Sequence, residues 1–223
     1  MKQVIIDLID EVKNFTKGKT IDAIFPPIVY VIGNRFFGLK IGIILALSFA
    51  LILAILRLIN KQSFIYALGG MAGVLIASGF AYLAGNAANY FLPRVITSGF
   101  FFLLSIVSLI IGRPIAALAS HLTRGWAFDW FLRKDIKPAY TEVTIVWAIL
   151  FLARMLLQIM LLRRANIVDV GLANILLGFP ATFTVLILTY LYGIWRLKKL
   201  KGPGVYEYMD GKESPWVGQT KGF

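Results

Sequence analysis

Arg154 is the residue with the most to say about chemistry here, because no carboxylate stands near it in the sequence. It lies inside the apolar stretch Val143–Leu162, with Trp147, Phe151 and Gln158 on the same helical face. An arginine at the centre of a hydrocarbon layer costs at least ~2.5 kcal/mol to insert, so something must satisfy it. Ser98, Ser105 and Ser108 form a polar stripe on the preceding apolar stretch, ending at Gly112. Asn174 and Thr182 flank Pro180 in the last stretch, where the proline frees a backbone carbonyl. Arg154 then has three readings. It can hold freed carbonyls, hydroxyls and water. It can take an anion or lipid phosphate with its planar fork. It can snorkel to the surface. The candidate polar cavity or anion and lipid contact set is Arg154, Gln158, Ser105 and Asn174, with Arg113 at the lipid headgroups.

Other chemistry is poorly represented. There is no cysteine, which removes disulfides, thiol nucleophiles and thiolate metal sites, and a single histidine, His121, cannot build a metal centre alone. No G-x-S-x-G, no H-E-x-x-H and no carboxylate pair at working spacing occurs. Proton relays normally use buried Asp, Glu or His. The acids nearest the centre of any apolar stretch, Glu142 and Asp169, sit at stretch ends. The expectation is a non-enzyme with no cofactor and no metal.

The elements that must position these residues are apolar helices. The chain is 59% hydrophobic and 15% charged, far from the balance of a soluble domain. Six stretches, roughly Asp22–Gly33, Leu39–Leu58, Phe64–Ala84, Arg94–Ile111, Val143–Leu162 and Gly171–Ile194, predict an all-α polytopic transmembrane bundle of six spans. The first is short and begins at Pro26-Pro27. Three spans followed by three, with proline breaks in the first and last, invite a 3+3 inverted repeat. Gly38, Gly42, Ala46, Ala50 and Ala54 recur every four residues, as do Gly69, Gly73, Ala77, Ala81 and Gly85. Two such small-residue ridges predict a close helical hairpin joined by the turn Arg57–Lys61.

The chain divides accordingly. Residues 1–20 form an amphipathic segment, with Val4, Ile5, Leu8, Val12 and Phe15 at helical spacing. It is not a signal peptide, because Asp7, Asp10 and Glu11 interrupt any apolar core. Residues 21–200 are the membrane domain. Within them, 112–142 form a cytoplasmic loop in which Trp126, Phe128, Trp130 and Phe131 precede Arg133, Lys134 and Lys137, the composition of a re-entrant or interfacial helix. Residues 201–223, rich in glycine and polar groups, are expected to be a flexible tail.

The net charge of +12 is an orientation signal. With the N-terminus inside, seventeen basic residues face the cytoplasm and five (Arg35, Lys40, Arg94, Arg163, Arg164) face out. Both termini are therefore expected to be cytoplasmic. The partners expected are the lipid bilayer and its anionic headgroups, with a homo-oligomer or an envelope protein beside them. Nucleic acid is not expected.

The run Phe101–Ile111 followed by Gly112-Arg113-Pro114 resembles a family of bacterial integral membrane proteins of unknown function, itself similar to the intracellular septation protein A group. Phe25-Pro26, Leu56-Arg57, Leu92-Pro93 and Gly178-Phe179-Pro180 carry the rest of the resemblance, which spans about Ile21–Lys199. It implies a five- or six-span protein of the bacterial cytoplasmic membrane linked to envelope synthesis or division. It carries no catalytic residues across. Physically, Gly112-Arg113-Pro114 reads as a helix stop, or a gate or lipid site, with Arg113 among lipid phosphates. Three function classes remain: a small transporter-like or envelope-associated protein without catalysis, a scaffold for division or envelope machinery, and a membrane-embedded lipid-modifying enzyme.

Overall fold

The computed structural model describes residues 19–61, 63–164, 166–220 and 222–223. The expected amphipathic helix over Met1–Gly18 lies outside the described residues. Among those described, the regular elements are helical: α1 (Lys19–Ile59), α2 (Phe64–Leu83), a 3-10 turn (Ala87–Phe91), α3 (Leu92–Ile110), α4 (Ile115–Arg124), α5 (Phe128–Phe131), α6 (Lys137–Arg163), α7 (Ile167–Leu177), α8 (Phe179–Leu200) and α9 (Val205–Met209).

Four stretches are long and apolar enough to cross a membrane: Phe25–Ile59, Ala87–Ile110, Lys137–Arg163 and Ile167–Leu200; Ala67–Leu83 is shorter. Large apolar side chains, among them Ile59, Leu83 and Ile110, stand exposed along them. That much exposed hydrocarbon is untenable in water and is what a bilayer covers. The chain is a multi-pass helical membrane protein.

The count of four differs from the six expected, and two of the four are interrupted. Gly38 has φ 80° and ψ 176°, outside helical geometry. Past it the chain turns back. A Cβ on Gly42 would stand 2.8 Å from the Asn34 backbone nitrogen, and the rings of Phe25 and Phe49 stack with centroids 6.2 Å apart. In a straight helix 24 residues would separate those rings by about 36 Å. So α1 is a hairpin of two limbs, and its glycine turn is the first member of the ridge expected to line one straight span. The first limb begins at Lys19, with Pro26 and Pro27 inside it, not at the prolines. The second interruption is Gly178, which separates α7 from α8.

The described chain forms two compact units: residues up to Ile96 with Leu156–Pro180, and Thr97–Met155 with Ala181–Phe223. This division interleaves the two halves of the sequence.

In the first unit α1 packs on α2 through alanines. Ala46, Ala50, Ala77 and Ala81 are buried together with Val74, which lets the backbones approach. Gly69 and Gly73, counted into the second ridge, lie exposed with nothing near them; Ala67, Val74 and Ser78 share the buried face with Ala77 and Ala81 instead. Tyr30 closes the end of the packing. It is fully buried, donates to Ala87 O at 2.9 Å and stacks on Tyr90 at 4.0 Å.

The second unit holds an aromatic core. Ala117, Trp126, Trp130, Phe131, Ile136, Tyr140, Leu197, Val205 and Phe223 are buried in one cluster. Residues 201–223, expected to be a flexible tail, are therefore folded into it. Trp130 Nε1 donates to Pro203 O at 2.9 Å, and the Phe223 ring stacks on Tyr140 at 4.3 Å. The expectation rested on glycine and polar content, but those glycines are where close approach is needed. A Cβ on Gly202 would stand 2.8 Å from Asp135 O, and one on Gly204 2.6 Å from Gly218 O.

Candidate functional site

The polar residues singled out in the sequence fall into both units, each with partners of its own. In the first unit, Gln158 Nε2 donates to Asn174 Oδ1 at 2.9 Å, and Asn174 Nδ2 donates to Val170 O at 2.8 Å. Both side chains are buried. Arg94 Nη1 reaches Asn174 O at 3.4 Å, one turn before α7 ends at the Gly178 break. A cation at a helix C-terminus meets the negative end of the helix dipole. Arg94, counted by sequence only as an outer-side charge, is thus a helix-end partner. Its position after Leu92-Pro93 gave no sign of this, because the carbonyl it meets lies 80 residues away. Gln158 Oε1 is buried without a hydrogen-bond partner.

In the second unit, Arg154 Nη2 donates to Thr182 Oγ1 at 2.8 Å. The partner sits in the first turn of α8, beside Pro180, which the helix tolerates so near its start. Ser105 and Ser108 are turned onto their own helix: Ser105 Oγ donates to Phe101 O and Ser108 Oγ to Ser105 O, both at 2.7 Å. Ser108 Oγ also accepts from Ile115 N at 3.1 Å, tying α3 to the start of α4.

Gly112-Arg113-Pro114 is a helix stop. Gly112 is left-handed at φ 73°, Gly112 N donates to Leu109 O and Arg113 N to Ser108 O, the two bonds of a Schellman cap. Pro114 then opens α4. Arg113 is exposed, its guanidinium 5.9 Å over the Phe128 ring. His121 Nδ1–H donates to Trp126 O at 2.5 Å, since a carbonyl can only accept. That fixes the turn that aims Trp126 and Trp130 inward, and gives the histidine a backbone role.

A family described as Protein of unknown function (DUF3159) matches residues 17–199. The chain belongs to this family. No curated protein and no solved structure matches it. The match ends before the segment, residues 200–223, that caps the aromatic core of this DUF3159 protein. They are held by Glu207. Its carboxylate accepts from Gly204 N at 2.8 Å, Val217 N at 2.8 Å and Gly218 N at 3.0 Å. Gln219 continues the clasp, accepting from Val205 N at 3.0 Å and donating to Gly222 O at 3.1 Å. Arg133 pairs with Asp135 through two bonds, 2.9 and 2.8 Å, and its guanidinium lies 5.6 Å from the Tyr208 ring centre and 5.4 Å from that of Trp216. Sequence reasoning gave no role to Glu207. Its spacing from Gly204 is that of a capping box, a short-range signal that was available.

The three backbone N–H groups, Gly204 foremost, hold the Glu207 carboxyl below the usual carboxylate range. A depressed carboxyl contributes stability that is present above its unfolded value and lost as pH falls through its folded one. Residues 201–223 should therefore stay clasped at neutral pH and loosen only below the usual carboxylate range. A fluorophore on Val217→Cys reports it. Glu207→Gln should remove the acid transition, and a transition left unchanged in that variant would show that another group sets it.

Proposed function

We propose that this protein is a non-catalytic scaffold of the bacterial cytoplasmic membrane, whose folded aromatic module receives envelope or division components on the cytoplasmic side. The observation that carries this reading is how the polar groups are used. The side chains a solute would need at mid-membrane are spent on one another, as Gln158 with Asn174 and Arg154 with Thr182. The ordered surface outside the spans is by contrast extensive, built from residues 112–142 and 201–223. Six crossings with both termini inside fit the α1 hairpin and the seventeen-to-five charge split. The resemblance to the intracellular septation protein A group supports an envelope role. Transport is the second reading, favoured by the unpartnered Gln158 Oε1 beside a broken helix.

The two readings separate on one variant. Replacing both members of a buried hydrogen-bonded pair with apolar groups of similar size is close to neutral for stability. Gln158→Leu with Asn174→Leu should therefore fold and fully complement a deletion strain. A variant that folds but fails to complement would give the function to the polar centre and sink the scaffold reading. The orientation is read in the same cells with single cysteines: Ala84→Cys should react with an impermeant maleimide, and Val217→Cys only after lysis.

A further inference from the structure

Between its buried face and the membrane, α4 presents a surface that the helix pairings leave uncovered. Ala117 is buried in the aromatic core and Ala116 N is held by Thr144 Oγ1 at 3.2 Å, which fixes the rotation of the helix. Leu118 and Leu122, one turn apart, then face outward at 43% and 73% exposure. Ten residues carrying two exposed leucines would be unremarkable on a soluble surface. Their position makes them otherwise. The stripe Leu103, Val107 and Ile110 on α3 recurs at helical spacing and is exposed, with Ile110 at 79% and Ile111 at 65%. It belongs to a stretch apolar enough to lie in hydrocarbon. The Schellman cap at Gly112 ends that stretch, and α4 starts three residues later. α4, with its two exposed leucines, therefore begins where the stretch long and apolar enough to cross a membrane has ended.

The charges at that level match. Arg113 is exposed in the turn itself. Lys137 opens α6, and its Nζ lies 3.1 Å from where a Cβ on Gly112 would stand. Two cations beside an outward apolar pair form the pattern of a helix lying in an anionic interface, with leucines in the acyl boundary and ammonium and guanidinium groups among phosphates.

We propose that α4 is an interfacial helix that seats Leu118 and Leu122 in the acyl-chain boundary and holds anionic phospholipid headgroups with Arg113 and Lys137. The proposal rests on the membrane placement of α3, not on the scaffold reading. The partner is the lipid surface, and the contact fixes how the aromatic module stands on the membrane.

Single cysteines at Leu118, Leu122, Leu103 and Val217 in the full chain are spin-labelled in vesicles of phosphatidylcholine, alone or mixed equally with phosphatidylglycerol. Labels at Leu118 and Leu122 should collide with oxygen more than with a water-soluble nickel chelate, as at Leu103, and the reverse should hold at Val217. Phosphatidylglycerol should deepen them, and Arg113→Gln with Lys137→Gln should lower phosphatidylglycerol retention by roughly fivefold per basic residue. Labels on α4 as open to nickel as Val217 would overturn the proposal, and so would labels shielded from both reagents, since protein then covers the helix. Indifference to phosphatidylglycerol would overturn its headgroup part. Nickel reaching Leu103 as well would instead show that α3 is not in the membrane. Melting and gel filtration matching the parent protein qualify each variant for comparison.

Discussion

Trp130→Ala should lower the unfolding free energy of the aromatic module by about 3–5 kcal/mol, the range for deleting a large buried aromatic side chain. Trp130 is fully buried, its ring edge-on to Phe131 at 5.0 Å and to Trp126 at 5.7 Å. Its indole N–H is also the bond that ties Pro203 to the core, and losing that donor strands a carbonyl next to the Gly202–Gly204 approach. The effect should therefore be directional. Residues 201–223 should come away first, and trypsin should cut after Lys201 and Lys212 at rates at which the parent resists. Trp195, which is exposed, is the matched control, and Trp195→Ala should change neither melting nor cleavage by much. A Trp130→Ala protein that melts and resists trypsin like the parent would mean that the tail does not depend on this core.

Gly42→Val should be strongly damaging to the first unit. The Cβ it introduces would press on the Asn34 backbone at 2.8 Å, where no side chain can rotate away. Overpacking of this kind costs about 1–3 kcal/mol or more, and here relief requires the two limbs of α1 to separate. Nitroxides at Phe25→Cys and Phe49→Cys measure that separation. A short, narrow distance in the parent should lengthen and broaden in the variant, whereas a straight helix would give about 36 Å from the outset. Gly73→Ala is the counterpart, from the same four-residue repeat but in open space. It should be neutral or stabilise by up to about 1 kcal/mol, the helix-propensity gain of alanine over glycine. Equal effects at the two glycines would leave the hairpin without support.

The two glycines show why the repeat was legible and its use was not. Small residues every four positions mark a helix face that can approach a neighbour, and Ala46, Ala50, Ala77 and Ala81 do so. Which members stay on that face depends on where the helix ends, and α1 turns at Gly38. The site residues show the same limit. Arg154, Gln158 and Asn174 were identifiable because a polar group in hydrocarbon is costly wherever it points. Their partners Thr182 and Asn174 stand 28 and 16 residues away from Arg154 and Gln158, and one sequence does not specify such pairings.

By itself, the sequence determined the features that local composition and the solvent dictate: helices, because apolar backbone in lipid must bond within its own segment; a membrane domain; a stop at Gly112-Arg113-Pro114; and a break at Gly178-Phe179-Pro180. The tertiary structure alone decided which residue carries the reversal between the first two apolar stretches, Gly38, the pairing of Gln158 with Asn174, and the folding of residues 201–223. Glycine-rich polar sequence is flexible when nothing binds it. Here Trp130, Tyr140 and the Glu207 carboxylate bind it, and their contacts reach across up to 83 residues, from Tyr140 to Phe223. Loop closure over that length costs only a few kcal/mol of entropy, which one buried aromatic cluster offsets.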